Sequence, residues 1–149
     1  METKELLNKM RKFCAYQERA PFDVKKKLWT LQLPDNVINE IIENLKKEDF
    51  LNEERFVEQF VRGKLNQKSW GKVKIAEHLR QKEIAEKMIR KALENVDSEI
   101  YFEKLDECAQ KWLRLNGDSE KDFHKLYSHL LSKGFENELI IEKLQELKK

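Results

Sequence analysis

Apolar and polar positions along this chain follow the period of an amphipathic α-helix almost throughout. Leu6, Met10 and Cys14 lie four residues apart in the first stretch, so they would share one helical face. Ile38 and Ile42 do the same further along the chain, within a strong 3.6-residue period. Only four glycines and two prolines punctuate the sequence, which is too few for an all-β fold. The pattern therefore predicts an all-α protein.

The apolar pattern also repeats at a fixed interval. Leu28, Leu79 and Leu130 are spaced 51 residues apart, and the same interval keeps six positions apolar in all three copies. A fixed period of this size is typical of stacked supersecondary units. Each copy contains three helical segments, so we expect three tandem three-helix repeats forming an elongated, curved helical array. The predicted units are residues 1–50, 51–97 and 98–149.

Charge is distributed unevenly over these units. The whole chain carries a formal net charge of only +2, with 30 basic and 28 acidic side chains. Residues 55–93 hold 11 of the basic and 4 of the acidic side chains, a net charge of +7, whereas the two flanking segments are mildly acidic. Such a local basic block indicates an anionic partner for the middle of the molecule.

The basic block places one aromatic side chain among its cations. Lysine and arginine bind phosphate or carboxylate, and a tryptophan can stack on a base or fill a pocket of a partner. Each residue taken alone could equally solvate a helix face, and the tryptophan could cap the core between helices. Because the charge is confined to this block, we favour a contact surface. The candidate contact residues are Arg55, Arg62, Lys68, Trp70, Lys72, Lys74, Arg80 and Lys82. Three consecutive lysines at residues 25–27 are more typical of a solvated face.

Motifs for common catalytic and metal-binding chemistry are absent from the sequence. It contains no Gly-rich phosphate loop, no Gly-x-Ser-x-Gly, no His-Glu-x-x-His and no Cys-x-x-Cys. Cys14 and Cys108 are interpreted as small buried apolar groups in a reducing compartment. No apolar run approaches the ~18 residues that span a membrane, and the N-terminus lacks the order of a signal peptide. We therefore expect a cytoplasmic protein that is not an enzyme, holds no cofactor or metal, and has no membrane or small-molecule partner.

The middle unit carries an ordered series of short motifs. It reads FLNEERF at residues 50–56, FVR at 60–62, WGKVKI at 70–75 and LRQK at 79–82. In order and spacing these motifs resemble the central repeat of the bacterial RecX regulatory proteins. The first repeat is similar more loosely and the third less so, but the length and the helical plan also fit. The resemblance therefore covers nearly the whole chain.

A few positions depart from the pattern of that family. Asn52 and Glu53 stand where two aspartates are usual, and asparagine still caps a helix. Lys72 takes the place of a proline. Glu83 takes the place of a glycine that the third repeat retains as Gly134. A residue other than glycine at position 83 is expected to alter the helix end or the tilt between helices.

Resemblance to the RecX family implies a negative modulator of RecA. Such a protein would bind RecA and especially its filament on single-stranded DNA, lying in the helical groove. It would suppress strand exchange, ATP hydrolysis and the co-protease activity that triggers the SOS response. The basic middle unit also leaves contact with single- or double-stranded DNA open. Two alternatives remain: a direct DNA-binding protein of the helix-turn-helix kind, and a generic helical adaptor for protein partners.

Overall fold

The structure is a computed structural model that describes residues 3–149, and every regular element in that part of the chain is an α-helix. The helices are α1 (Thr3–Tyr16), α2 (Pro21–Trp29), α3 (Asp35–Lys47), α4 (Glu53–Lys68), α5 (Lys72–Gln81), α6 (Glu86–Glu94), α7 (Ser98–Asn116), α8 (Glu120–Ser132) and α9 (Asn137–Leu147). The predicted all-α fold of three tandem three-helix repeats is confirmed. We call α1–α3 the first unit, α4–α6 the second and α7–α9 the third.

The exact limits of the units, at residues 50 and 97, stay a prediction. The predicted start of the first unit at residue 1 lies outside the described residues. Over residues 3–149, no helix combines the length and the apolar character that a membrane span needs.

Local sequence signals set the ends of the long helices. The side chain of Asn52 accepts a hydrogen bond from the backbone N–H of Arg55 at 2.9 Å, so it caps α4 as predicted. Asp97 caps α7 in the same way. At the start of α8, Ser119 and Asp122 form a reciprocal capping box. These caps pair backbone N–H groups that have no partner within the helix.

The apolar side chains form two cores. The first unit buries its own core, in which Leu28 is fully buried. The second and third units share the other core, and the equivalent leucines Leu79 and Leu130 are both fully buried there. Among the described residues of the first unit, only Ala20 and the partly buried Phe22 join this shared core. The second and third units are thus one packing body, to which the first unit is attached.

The exposed surface of the molecule is large for its mass. The chain of 18.0 kDa exposes 9784 Å², whereas a compact monomer of that mass exposes about 8,000 Å². Tandem units that contact mainly their neighbours leave this excess surface open to solvent. The excess agrees with the predicted elongated array.

The second and third units interlock through their backbones. The N–H of Gly71 donates to the carbonyl of Lys133 at 2.8 Å, and the N–H of Val73 donates to the carbonyl of Gly134 at 3.0 Å. The first N–H groups of α5 therefore find acceptors in the third unit. A Cβ on Gly71 would lie 2.3 Å from backbone atoms of Gly134. The absence of a side chain at this position is what permits the contact.

A buried tyrosine reinforces the same junction. The hydroxyl of Tyr101 accepts a hydrogen bond from the backbone N–H of Lys72 at 2.9 Å, and it donates to the carboxylate of Glu136. Burial, together with the hydrogen bond to Glu136, raises the pKa of Tyr101 well above its ordinary value. The phenol therefore keeps its proton and its role as a donor.

Candidate partner-binding surface

Two of the eight candidate residues, both cations, join the first unit to the second. The guanidinium of Arg55, at the start of α4, lies 2.6 Å from the carboxylate of Glu18 and 3.2 Å from that of Asp49. The hydrogen bond to Glu18 raises the pKa of Arg55 above its ordinary value. The Nζ of Lys82 lies 2.6 Å from the carboxylate of Asp23. Arg55 and Lys82 are thus already paired by carboxylates of the first unit.

Two further candidates are paired within the second unit. Arg62 lies 2.9 Å from Glu58, one turn earlier on α4. Arg80, at the end of α5, binds Glu86 at the start of α6. All four side chains are more than half exposed. Such exposed pairs contribute little free energy, so either arginine can exchange its carboxylate for a partner's at low cost.

Trp70 is the centre of a cation–aromatic cluster after α4. Its ring lies 6.5 Å from the ring of Phe60 in an edge-on arrangement and 4.5 Å from the ring of His78. The Nζ atoms of Lys64 and Lys74 lie 4.8 Å and 4.5 Å from the centre of the indole. Trp70 is partly buried against the shared core. The two ammonium groups therefore sit on a tryptophan that packing holds in place. We call these five residues the Trp70 cluster.

Sequence reasoning missed two members of the Trp70 cluster, Lys64 and His78. Lys64 follows Phe60 by four residues on α4, and His78 follows Lys74 by four on α5. Residues four apart are neighbours on one helix face. That spacing is the signal that would have predicted both positions.

Five lysines in and around the Trp70 cluster have no carboxylate partner among the described residues. Among the described residues, no carboxylate oxygen lies within 4.0 Å of any of them, although five other lysines do have such a partner. Lys72 is partly buried, and its Nζ lies 4.9 Å from the centre of the Tyr101 ring. The Nζ of Lys133 in the third unit donates to the carbonyl of Lys68 at 2.6 Å. The members of this lysine patch are Lys64, Lys68, Lys72, Lys74 and Lys133.

The eight candidates therefore do not form one surface. Each residue turns an α-helix by 100°, so Arg62 points to the opposite side of α4 from Phe60 and the Trp70 cluster. The structure brings together Lys68, Trp70, Lys72 and Lys74 at the connection between α4 and α5. It separates them from Arg62, and it pairs Arg55 and Lys82 with the first unit.

The lysine patch places ammonium groups against the aromatic rings of Trp70 and Tyr101. Ammonium groups without carboxylate partners suit phosphate or carboxylate oxygens. Within residues 3–149, no group of three or more His, Cys, Asp and Glu side chains could hold a metal ion. Burial raises the pKa of the Cys14 thiol to about 11, and it also raises the pKa of the half-buried Cys108. Both thiols are therefore neutral near pH 7, which makes them poor nucleophiles.

Two family models match this chain. Residues 52–93 match the model described as the second three-helix domain of RecX, and residues 99–144 match its third three-helix domain. Together the two matches cover more than half of the chain. The first match contains all eight candidate residues and four of the five members of the lysine patch.

Relatives of similar sequence are named regulatory protein RecX. The protein of Prosthecochloris aestuarii is 28% identical over 146 residues, which covers 98% of this chain and 95% of the relative. The protein of Oceanobacillus iheyensis is 30% identical over 137 residues, covering 91% of this chain but 50% of the relative. The chain thus spans nearly all of the first relative and about half of the second.

Two solved structures have the same fold. The crystal structure of RecX from Lactobacillus salivarius gives a TM-score of 0.82 at 29% identity, covering 98% of this chain and 96% of that one. A second structure, of a regulatory protein RecX, gives a TM-score of 0.82 at 26% identity, covering 97% of this chain and 71% of that one.

Proposed function

Since the chain belongs to the RecX family of regulatory proteins, we propose that it binds RecA and the RecA filament on single-stranded DNA and inhibits the filament. The inhibited activities are recombinase, ATPase and co-protease activity. The protein would thereby moderate recombinational DNA repair and the SOS response. It acts by occupying a surface of the filament, and no chemical step is needed.

The match of residues 52–93 to the second RecX domain is the observation that carries this proposal. The same stretch supplies Lys64, Lys68, Lys72 and Lys74 to the lysine patch. These ammonium groups can meet acidic side chains of RecA or phosphates of the bound strand without first breaking an internal ion pair. The elongated array gives a surface long enough to follow a helical filament.

Within this proposal the candidate residues take different roles. Lys68, Trp70, Lys72 and Lys74 form the contact surface. Arg80, at the end of α5, exchanges its carboxylate on binding, whereas Arg62 points to the other side of α4 and lies outside this surface. Arg55 and Lys82 act indirectly, because their ion pairs join the second unit to the first.

The decisive experiment is a titration of the protein into the single-stranded-DNA-dependent ATPase of RecA from the same source, at physiological salt. The proposal expects inhibition below one molecule per RecA protomer. The variant Lys68→Glu should weaken inhibition about tenfold, because it replaces attraction with repulsion at an exposed contact. Lys26→Glu on α2 changes the same charge at another exposed position and should inhibit like the parent. Circular dichroism checks that both variants are helical.

The same titration separates the two alternatives. A direct DNA-binding protein would inhibit only when it strips the strand from RecA, so excess DNA would relieve inhibition and the affinity would fall steeply with salt. A generic adaptor would leave the ATPase unchanged even in excess. Either result would contradict the proposal.

A further inference from the structure

An open groove lies on the other side of α4 from the Trp70 cluster. It runs between α4 and α6 and has a volume of about 720 Å³. Its apolar lining includes Val57, Val61, Leu65, Met88, Ala92 and Ile100. Ile100, at the start of α7, is 47% exposed, so it adds accessible apolar surface to the groove. This groove is separate from the lysine patch, and the proposed function does not use it.

The dimensions of the groove suit a helix. Its α4 wall extends from Glu54 to Asn66 and its α6 wall from Ala85 to Asn95. At 1.5 Å per residue these walls are about 18 Å and about 15 Å long, or roughly three helical turns. An apolar groove between two helices can take the apolar face of a third, through positions i, i+3 or i+4, and i+7.

Glu54, Glu58 and Asp97 are the carboxylates that line the groove, and two of the three have a partner within the protein. Glu58 on the α4 wall is paired with Arg62 at 2.9 Å. Glu54 lies in the first turn of α4, where the helix dipole favours a negative charge. The carboxylate of Asp97 accepts the backbone N–H of Ile100 and caps α7.

The lysines of the α6 wall are not compensated. Lys87 and Lys91 lie one turn apart and are exposed, and among the described residues neither has a carboxylate oxygen within 4.0 Å. Lys87 also lies in the first turn of α6, where the helix dipole disfavours a positive charge. The groove therefore presents an apolar floor with one basic edge that lacks an internal counter-charge.

We propose that this groove binds an acidic amphipathic helix of a protein partner. The apolar stripe of that helix packs on the more accessible lining residues Met88, Ala92 and Ile100. Acidic residues beside the stripe pair with Lys87 and Lys91. The groove proposal does not depend on which protein supplies the helix. It can therefore be tested separately from inhibition of RecA.

The test uses two labelled model peptides, each about 16 residues long and cross-linked to stay helical. Both carry leucines at i, i+3, i+4, i+7 and i+11, and the positions beside the stripe are glutamate in one peptide and lysine in the other. Fluorescence anisotropy measures the binding of each to the full chain. The glutamate peptide should bind about tenfold more tightly than the lysine peptide, because only the first complements the α6 edge.

Three variants locate the binding. Ala92→Trp fills the groove and should weaken binding of the glutamate peptide about tenfold. Lys87→Glu combined with Lys91→Glu should reverse the preference between the peptides. The matched control is Lys121→Glu with Lys125→Glu, since these exposed lysines occupy the same positions in the first two turns of α8. That control should change the affinity by less than about twofold.

Several outcomes would overturn the inference. One is that neither peptide binds at millimolar concentration, and another is that both bind equally tightly. Binding that Ala92→Trp leaves unchanged would place the peptide elsewhere on the protein. Sedimentation of the chain alone that reveals a dimer dissolved by Ala92→Trp would assign the groove to a second copy of this chain.

Discussion

The two junctions of this array use the same repeat positions in different ways. At the junction of the second and third units, the N–H of Gly71 donates to a backbone carbonyl of the neighbouring unit. At the junction of the first and second units, the equivalent residue is Ala20, 51 positions earlier. Its N–H donates to the carboxylate of Asp23 in its own helix at 2.8 Å. Lys82 of the second unit then binds that carboxylate from outside.

Two positions that are glycine at the second junction carry a side chain at the first. The backbones meet at Gly71 because no Cβ stands between them. Ala20, at the equivalent position of the first junction, does carry a Cβ. Glu83 occupies the position that corresponds to Gly134 of the second junction. The first junction is bridged by ion pairs, which salt screens, where the second has backbone hydrogen bonds. Equivalent positions of tandem repeats thus make different contacts at the two junctions.

The largest expected effect tests whether the two cores are separate. Leu28→Ala and Leu79→Ala each remove an equivalent, fully buried leucine, and each should cost about 3 kcal/mol. Hydrogen exchange followed by mass spectrometry should show faster exchange only in α1–α3 for Leu28→Ala. For Leu79→Ala the loss of protection should extend over α4–α9. If both substitutions increased hydrogen exchange over the same helices, the three units would unfold as one body.

Gly71→Ala should weaken the backbone interlock. The new Cβ would lie 2.3 Å from backbone atoms of Gly134, and overpacking of this kind costs about 2 kcal/mol. Urea denaturation measures the loss. The matched control is Gly63→Ala, because a Cβ at this position meets no atom within 4 Å. This substitution should stabilise α4 by about 0.5 kcal/mol. A Gly71→Ala protein as stable as the control would contradict the interlock.

Tyr101→Phe should loosen the same junction without changing its shape. The substitution removes the hydroxyl that binds the N–H of Lys72 and the carboxylate of Glu136. Losing these two partly buried hydrogen bonds should lower the free energy of unfolding by about 1.5 kcal/mol. Tyr127→Phe is the control, because the hydroxyl of Tyr127 makes an exposed hydrogen bond to Asn137. Thermal unfolding of the two variants gives the comparison. The contact would be unimportant if both variants lost equal stability.

Glu83→Gly should stabilise the protein by about 1 kcal/mol. Glu83 has a φ of 59°. For a residue with a Cβ, this left-handed backbone conformation costs about 1 kcal/mol. The lost contact is small, since the Nζ of Lys25 lies 3.9 Å from this exposed carboxylate. Glu83→Ala keeps the Cβ and should not share the gain. Equal stability of the two variants in urea would show that the backbone strain is not the cause.

Arg55→Gln is expected to have the smallest effect, a loss below about 1 kcal/mol, because its ion pairs with Glu18 and Asp49 are partly exposed. The loss should shrink as salt rises from low to molar concentration. Urea unfolding at several ionic strengths measures it. A loss that stays constant with salt would mean that Arg55 contributes through packing instead of charge.

The sequence alone determined the helices, the units and the positions of the core. The 51-residue recurrence of Leu28, Leu79 and Leu130 predicted three equivalent buried sites, and each is fully buried. Asn52 was predicted as a cap and is one. The motifs of residues 50–82 indicated the RecX family, which the family models confirm. These features depend on neighbours within a few turns of one helix, or on repetition, so periodicity is enough to find them.

Only the tertiary structure decided which cations are available to a partner. In the sequence, Arg55 and Lys82 look like Lys68 and Lys74, but their carboxylate partners lie 37 and 59 residues earlier in the chain. The groove between α4 and α6 and the interlock at Gly71 likewise depend on how separate helices come together. Charge and spacing along a chain do not fix the angles between helices. Packing of the helices fixes those angles. The angles then determine which charged side chains pair within the molecule and which stay available to a partner.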